Sequence, residues 1–257
     1  MLEPDSLPKG TQPEGAKNQQ EASRQVREMF TRIAPRYDLL NHLLSAQMDR
    51  VWRARTAREL QPILERADAL VLDLCCGTGD LAFSLQRKAK ARILGADFSH
   101  TMLVRAREKA VAANGTAPMP FLEADALRLP FADEAFDLVS SAFGFRNLAN
   151  YEDGLREIFR VLKPGGTLGI LEFAEPAPGI LGDAYRFYTR TVLPKIGGWI
   201  SGDADAYAYL PKSVARFFRP EEFVSVLKKV GYGQVRYHLM TLGSVALQGV
   251  VLEAQAQ

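Results

Sequence analysis

The sequence VLDLCCGTGD, residues 71–80, joins an apolar run to two cysteines, a Gly-x-Gly turn and an acid. Residues of these types serve three kinds of chemistry: phosphate binding by a glycine-rich loop, redox or metal chemistry on cysteine, and binding of a nucleoside cofactor at a turn. A phosphate-binding P-loop is excluded, because it requires Gly-Lys-Ser/Thr at the start of its helix and this stretch has no lysine.

The two cysteines do not indicate a metal or redox site. Cys75 and Cys76 are adjacent rather than spaced as C-x-x-C, and the chain offers three histidines and no further cysteine for a cluster. We therefore expect no metal ion, and we interpret both cysteines as small side chains at the buried end of a strand.

The Gly-x-Gly turn suits a nucleoside cofactor. Gly77 and Gly79 are followed by Ala82, which fits the looser form of the dinucleotide fingerprint and leaves NAD open. Asp80 stands where a helix N-terminus would meet a diphosphate, and a carboxylate there favours a neutral or cationic ligand.

Two further positions follow predicted strands. Asp97 ends the second strand, where an acid can accept hydrogen bonds from both hydroxyls of an adenosine ribose. Two such charge-assisted bonds, at about 1.5–3 kcal/mol each, would make it a strong anchor. Asp125 and Ala126 follow the third strand, where an adenine edge could be bound.

The elements that position these residues follow from hydrophobic patterning. From residue 69 onward, apolar runs typical of strands buried on both faces alternate with segments of helical period. The runs are ALVLDLCC, ARILGADF, MPFLEAD, AFDLVSSAF and TLGILEF, and the helical segments are DLAFSLQRK, TMLVRAREKAVAAN and YEDGLREIFRVLK. This alternation predicts an α/β fold with a mainly parallel sheet covered on both faces.

The remaining segments complete one domain. Residues 1–22 are poor in large apolar side chains and are predicted to be a disordered tail. The domain then spans residues 23–257, divided into N-terminal helices (23–66), a cofactor-binding core (67–175), a helical, aromatic-rich insertion (176–219), and a C-terminal helix and strands (220–257).

Composition narrows the class of protein. The 257 residues carry a net charge of +2, which is too balanced to indicate a nucleic-acid-binding protein. The sequence has no apolar run of the ~20 residues that a membrane span needs, and its first residues do not read as a secretory signal. Together with the two cysteines, these features lead us to expect a cytoplasmic protein.

The landmarks GTGD, Asp97, "LEADALRLPF" and "VLKPGG" together resemble the class I S-adenosylmethionine-dependent methyltransferases over roughly residues 65 to 175. The resemblance implies a Rossmann-like sheet, with an N-terminal helical lid and a helical insertion before the last helix. It also implies S-adenosyl-L-methionine as cofactor, held by Asp73, Gly77, Thr78, Gly79, Asp97, Phe98, Asp125 and Ala126.

Longer blocks are similar to the ubiquinone/menaquinone biosynthesis C-methyltransferase family from about residue 28 to 248. They include "MFTRIAPRYDLLN", "FGFRNLANYEDGLREIFRVLKPGG" and "SGDADAYAYLPKSV". The resemblance implies a reduced prenylated benzoquinol or naphthoquinol as substrate, with a ring C-methyl group in the product. Two rivals stay open: a methyltransferase for another small molecule, and a non-catalytic cofactor-binding scaffold.

By this resemblance Arg146, Asn147 and Tyr37 are the candidate catalytic residues, with Arg146 stabilising a phenolate. Two of them have a structural alternative: Arg146 could pair with an acid such as Asp137 or Asp153, and Asn147 could cap a helix.

The candidate substrate-binding residues are Asp38, Asp203, Asp205 and Tyr207. Asp203 or Asp205 could instead cap a helix that begins near Ala206. The apolar side chains of the insertion could line a tunnel for a prenyl tail, rest on a bilayer or simply pack in the core. The sequence leaves open a peripheral membrane contact, a homodimer, and association with other quinone-biosynthesis enzymes.

Overall fold

A seven-stranded sheet forms the centre of the fold in the computed structural model, which describes residues 10–112, 119–176, 179–195 and 203–250. The strand order is β3-β2-β1-β4-β5-β7-β6. The strands are β1 (Leu70–Leu74), β2 (Arg92–Asp97), β3 (Phe121–Glu123), β4 (Phe136–Ala142), β5 (Leu162–Phe173), β6 (His238–Met240) and β7 (Val245–Val250).

The first five strands run parallel, and β7 pairs antiparallel with both β5 and β6. The mainly parallel α/β sheet predicted from the alternation is therefore confirmed. β1 and β4 are buried along almost their whole length, as expected for strands covered on both faces.

Helices cover both faces of the sheet and extend over one edge. They are α1 (Gln19–Ile33), α2 (Tyr37–Leu44), α3 (Met48–Glu59), α4 (Gln61–Leu64), α5 (Asp80–Gln86), α6 (His100–Ala112), α7 (Tyr151–Val161), α8 (Ile180–Phe187), α9 (Ala204–Arg216) and α10 (Pro220–Val230). Short 3₁₀ turns at Ala34–Arg36 and Phe145–Asn147, and a π-helical turn at Tyr188–Val192, connect some of them.

The prediction of a disordered tail over residues 1–22 is wrong for the described part of this segment. Asn18 caps α1 by accepting a backbone hydrogen bond, so the helix begins at Gln19. Thr11 is buried, and its hydroxyl lies 2.6 Å from the Tyr209 hydroxyl. Composition did not reveal this, because hydrogen bonds to distant residues hold the segment.

The end of α7 also differs from expectation. The sequence "KPGG" predicted that the helix stops at Pro164, but α7 ends at Val161 and β5 begins at Leu162. The proline and glycines therefore lie inside the first part of β5. At the other end of α7, the Asn150 side chain accepts a hydrogen bond from the Asp153 backbone and caps the helix.

Candidate active site

Two neighbouring cavities lie at the carboxyl edge of the parallel strands, where ligands bind in open α/β sheets. The glycine-loop cavity is bounded by residues 73–78, by Asp97 and by Asp125. The aromatic cavity has a volume of about 410 Å³ and is lined by the N-terminal helices, by β4 and β5, and by the insertion.

The turn after β1 forms the floor of the glycine-loop cavity. Gly77 and Gly79 have φ values of +54° and +85°, in the left-handed region that glycine adopts without strain. A Cβ at Gly79 would lie 2.9 Å from the Phe83 ring, so no larger residue fits there. The two glycines predicted to bind a cofactor are therefore required by the shape of this turn.

Asp97 closes the end of β2 with a buried carboxylate. One carboxylate oxygen accepts from the Ser99 backbone and the other from the Gly77 backbone, each at 2.8 Å. Burial raises the pKa of Asp97 to about 6, although these hydrogen bonds oppose the shift. Since each oxygen has two lone pairs, both can still accept a ribose hydroxyl.

Asp73 lies beneath the same turn and is fully buried. One oxygen accepts from the Ser140 hydroxyl at 2.8 Å, whereas Oδ2 has no hydrogen-bond partner among the described residues. Burial raises the pKa of Asp73 to about 7. A buried acceptor without a partner, lining the cavity, suits the cationic amino group of S-adenosylmethionine.

The far wall contains the other predicted cofactor residues. Asp125 and Ala126 line the cavity in the turn after β3, where Asp125 Oδ1 accepts from the Leu127 backbone at 2.9 Å. Phe98 also lines it, with the Arg27 guanidinium 5.3 Å from its ring centre. Apart from Gly79, the predicted cofactor residues thus line one cavity, and Thr78 also contacts the N-terminal helices.

The cysteines fit the interpretation as packing residues. Burial raises the pKa of both the Cys75 and Cys76 thiols well above the ordinary value, so neither is a reactive thiolate. Cys75 has φ +54° and Phe143, at the end of β4, has φ +58°. Non-glycine residues in this region are strained, and both line the glycine-loop cavity.

Helix α2 is attached to the glycine loop by polar contacts. The Thr78 hydroxyl donates to Asp38 at 2.5 Å, and the Lys109 ammonium donates to the other Asp38 oxygen at 2.8 Å. Lys109 also pairs with Asp80, the first residue of α5. Asp38 was predicted to bind substrate, but among the described contacts it joins α2 to the loop and to α6.

Tyr37 stands at the boundary between the two cavities and lines both. Burial raises the pKa of its hydroxyl above the ordinary value, so it is a hydrogen-bond donor rather than a tyrosinate. Three other residues line both cavities: Phe30, Arg53 and Phe143.

Arg146 lines the aromatic cavity and is buried. Its Nη1 donates to Glu172 at 2.9 Å and also to the Phe143 carbonyl. Burial opposes the charge, but Glu172 raises the pKa of the guanidinium above its ordinary value. The structural alternative is therefore present, with Glu172 as the acid rather than Asp137 or Asp153.

Asn147 lies on the glycine-loop side, in the turn Phe145–Asn147. Its side-chain oxygen accepts from the Tyr209 hydroxyl at 3.0 Å, and its amide donates to the Phe143 carbonyl at 3.4 Å. The described contacts place Asn147 behind Phe143 rather than in the lining of the aromatic cavity. Its predicted contact with the substrate stays a prediction.

The insertion residues are separated by the fold. The Asp203 side chain accepts from the Ala206 backbone and so caps α9, as the alternative interpretation held. It also pairs with Arg32 at 2.8 Å. Asp205 and Tyr207 lie in α9, but their side chains are outside the described part of the chain.

Sequence reasoning missed Arg53, Trp52 and Lys109. Arg53 and Trp52 lie on α3, and both are buried although the helix is rich in charge. The spacing of Asp49 and Arg53, one turn apart beside a tryptophan, was the available signal. Lys109 lies in a helix chosen only for its apolar period, and its role appears when α6 packs beside α2.

Comparison with known proteins decides the family. Residues 16–251 match the model of the ubiE/COQ5 methyltransferase family. The chain belongs to this family. It is 51% identical to the demethylmenaquinone methyltransferase of Thermus thermophilus, covering 85% of this chain and 97% of that protein.

Other relatives carry related names. The demethylmenaquinone methyltransferase of Deinococcus radiodurans is 47% identical, with 88% of this chain and 92% of that protein covered. The ubiquinone/menaquinone biosynthesis C-methyltransferase UbiE of Dinoroseobacter shibae is 40% identical, with 86% and 88% covered. The resemblance found in the sequence blocks is confirmed.

Solved structures agree on the fold. A SAM-dependent methyltransferase from Thermotoga maritima has a TM-score of 0.60 at 20% identity, covering 88% of this chain and 99% of that one. One from Aquifex aeolicus has a TM-score of 0.54 at 20% identity, covering 76% and 87%. The fold is that of the class I methyltransferases, and the family and fold together imply S-adenosylmethionine as cofactor.

Proposed function

We propose that this protein methylates a ring carbon of a reduced prenylated quinone precursor, and that the precursor is demethylmenaquinol. The observation that carries the proposal is the pair of adjoining cavities, one suited to a nucleoside and the other lined by apolar and aromatic side chains. Relatives at 51% and 47% identity are named demethylmenaquinone methyltransferases, which supports a naphthoquinol over a benzoquinol.

Carbon methylation needs an electron-rich ring, so the substrate must be the quinol. When bound, S-adenosylmethionine supplies an electrophilic methyl group. The acceptor carbon would gain this methyl group, with the electrons of the broken carbon–sulfur bond left on the departing thioether, and would lose its ring hydrogen as a proton. The protein's part is to hold the ring in line and to favour negative charge on a ring oxygen.

The residues of the aromatic cavity suit this part. Trp52, Phe143 and Phe173 pack against one another with ring centres 4.5–6.2 Å apart and form an apolar wall for a flat ring. Arg146 lies beside that wall, with its guanidinium 5.3 Å from the Phe173 ring centre. Its fixed charge can bind a ring oxygen of the quinol.

The prenyl tail of the substrate requires an apolar exit from this cavity. Leu44 on α2 and Tyr188 after α8 line the cavity, and the Tyr188 hydroxyl donates to the Leu44 carbonyl at 2.9 Å. Each is preceded by an exposed apolar residue, Leu43 or Phe187. We place the tail exit here and propose that this rim touches the membrane that holds the substrate.

No helix among the described residues is long and apolar enough to cross a bilayer. The proposed contact therefore lies at the membrane surface.

The decisive experiment measures transfer of labelled methyl from S-adenosylmethionine to demethylmenaquinol. We expect ring-methylated product under anaerobic conditions with dithionite, and none with the oxidised quinone in anaerobic buffer without a donor. Mass analysis locates the methyl group. The competing acceptors are 2-polyprenyl-6-methoxy-benzoquinol, whose acceptor ring carbon is unmethylated, and an unprenylated naphthol.

Each outcome bears on one hypothesis. Equal turnover of the verified oxidised quinone would contradict the quinol mechanism. Methylation of the benzoquinol alone would contradict the naphthoquinol assignment. Tight binding of S-adenosylhomocysteine without transfer to any acceptor would support the scaffold alternative, and Asp97→Ala serves as the control that abolishes this binding.

A further inference from the structure

Arg53 occupies a position that the catalytic assignment above leaves unused. It is the one charged side chain that lines both cavities among the residues described. It is buried in the middle of α3, and its guanidinium lies 6.0 Å from the Phe143 ring centre. A methyl group must cross from one cavity to the other, so its path passes this boundary.

The chemistry of the ring selects one of its two oxygens. Negative charge on a phenol oxygen enriches the carbons ortho and para to it, and not the meta carbon. In a 1,4-quinol with a free ring carbon at position 2, the oxygen on carbon 1 is ortho to that carbon and the oxygen on carbon 4 is meta. Charge on the oxygen adjacent to the acceptor carbon is therefore the charge that promotes attack.

That oxygen must lie close to the boundary, because it is separated from the acceptor carbon by one ring atom. Arg53 lines the boundary, whereas Arg146 lines the aromatic cavity alone. The two arginines contact different parts of Phe143: Arg53 lies over its ring, and Arg146 donates to its carbonyl. With the first oxygen at the boundary, we place the para oxygen in the aromatic cavity, which Arg146 lines.

We propose that Arg53 binds the ring oxygen adjacent to the acceptor carbon and stabilises its negative charge during methyl transfer. This rests on the quinol substrate proposed above. The hydroxyl proton is released to water, and the charge left on oxygen meets the guanidinium. Arg146 then holds the second oxygen and fixes the orientation of the ring.

Two acidic side chains hold the Arg53 guanidinium in place. Its Nη1 donates to Asp49 at 2.5 Å, and its Nη2 lies 3.4 Å from Asp80. A guanidinium has five N–H groups, which is more than these two ion pairs require. Both acids are shared with other groups: Asp49 also contacts His42 and Ser45, and Asp80 also pairs with Lys109.

Other titratable groups lie around Arg53 and contribute to the pH dependence of the reaction. Burial alone would raise the pKa of Asp49, but Arg53 and the Ser45 hydroxyl bring it below the ordinary value. The further groups around the boundary are Tyr37 on α2, His42 behind Asp49, Asp73 under the loop, Lys109 on α6 and Arg146 beyond Phe143.

The first test is the ionisation of a bound probe. The probe is 3-prenyl-1-naphthol, whose single hydroxyl corresponds to the oxygen adjacent to the acceptor carbon and whose naphtholate has a distinct absorbance. It is titrated on the S-adenosylhomocysteine complex. We expect the probe's pKa on the wild type to be at least one unit lower than on Arg53→Met. Arg55→Met, an exposed position on the same helix, is the matched control and should behave as wild type.

Loss of Arg53 leaves Asp49 buried without its partner, so Arg53→Met can fail to fold. Asp49→Asn/Arg53→Met removes both charges and keeps the measurement possible, and Arg53→Lys retains the charge without the planar group. An equal probe pKa on the wild type and on the folded Arg53 variants overturns the proposal. The proposal is also overturned if the pKa of the probe bound to the wild type equals its pKa in water.

The second test uses turnover of the quinol under reducing conditions. We expect kcat to fall about 100-fold in Arg53→Met, as for removal of one preorganised donor, with unchanged affinity for S-adenosylhomocysteine. The acid-side limb of the kcat profile, which reports ionisation of the bound hydroxyl, should move to higher pH. Absence of methylation by the wild type would refute the proposed function, whereas normal turnover and profile in the variants would refute the role of Arg53.

Discussion

At the scale of single residues, Arg146 combines a buried ion pair with a place in the substrate cavity. Lysine keeps the charge but loses the planar fork of donors that holds Glu172 and the Phe143 carbonyl at once. We expect Arg146→Lys to lower kcat more than tenfold while the affinity for S-adenosylhomocysteine stays nearly unchanged. Steady-state kinetics and calorimetry measure the two quantities.

If Arg146 served only to hold the fold together, Arg146→Lys would give the opposite result. Thermal stability would fall, and the specific activity of the folded fraction would stay normal. Arg156→Lys, in an exposed i,i+4 pair with Glu152, is the matched control for the loss of the guanidinium.

Asp73 gives a prediction about pH. Its pKa is about 7 in the folded protein and 3.8 in a model compound, so between these values the folded state retains a proton that the unfolded state releases. Stability from this proton is present below about pH 4 and is lost as pH rises to 7. For one full proton, the unfolding free energy falls by about 1.4 kcal/mol for each pH unit of increase.

The measurement is the unfolding free energy of the cofactor-free protein against pH. Asp73→Asn cannot titrate, so its stability relative to the wild type should rise between pH 4 and 7. Asp133→Asn changes a surface side chain, and its unfolding free energy should vary with pH in the same way as that of the wild type. Parallel curves for Asp73→Asn and the wild type would contradict the raised pKa.

At the scale of elements, one ammonium group strengthens the joint between α2 and the core, beside the direct Thr78–Asp38 hydrogen bond. Lys109 on α6 reaches Asp38 on α2, Thr78 in the glycine loop and Asp80 on α5. This group is about one-third exposed, so each ion pair alone is weak, and its effect comes from joining three elements.

We expect Lys109→Met to weaken the attachment of α2 to the glycine loop. Amide exchange in Tyr37–Leu44 should accelerate, and the affinity for S-adenosylhomocysteine should fall three- to tenfold, with Lys109→Arg less affected. Lys88→Met, an exposed lysine after α5, is the control. Unchanged exchange in α2 would show that apolar packing alone holds this helix.

At the scale of the whole molecule, the tail exit and the exposed apolar rim share one side. Leu39 and Leu43 are 62% and 51% exposed one turn apart on α2, and Phe187 is 63% exposed on α8. We expect Leu39→Ser/Leu43→Ser/Phe187→Ser to bind phosphatidylcholine vesicles containing demethylmenaquinone at least tenfold more weakly in flotation.

The control replaces an apolar residue of similar exposure elsewhere. Val111→Ser lies on α6, is 80% exposed in the wild type, and should bind vesicles as the wild type does. Equal vesicle binding by the triple variant would remove the rim from the membrane contact. Methylation of a short-tailed soluble quinol should be unchanged in the triple variant, because the rim lies outside the cavities.

The sequence by itself determined the elements and the positions of the candidate cofactor residues because their signals are local. A strand buried on both faces shows in the sequence as a continuous apolar run. Gly77 and Gly79 mark a turn that has positive φ, and Asp97 is recognised because it is the last residue of a predicted strand. The distinctive "FGFRN" block likewise indicated the family without any knowledge of contacts.

Tertiary structure alone decided which distant residues meet. Three contacts join positions far apart in the chain. They are the Arg146–Glu172 ion pair, the Lys109–Asp38 ion pair and the Thr11–Tyr209 hydrogen bond. Arg53 is the clearest case. The sequence predicts that a charged residue on a charged helix is solvent-exposed. Only the packing of α3 against α5, β5 and β7 places Arg53 between the two cavities, because burial is a property of the assembled fold.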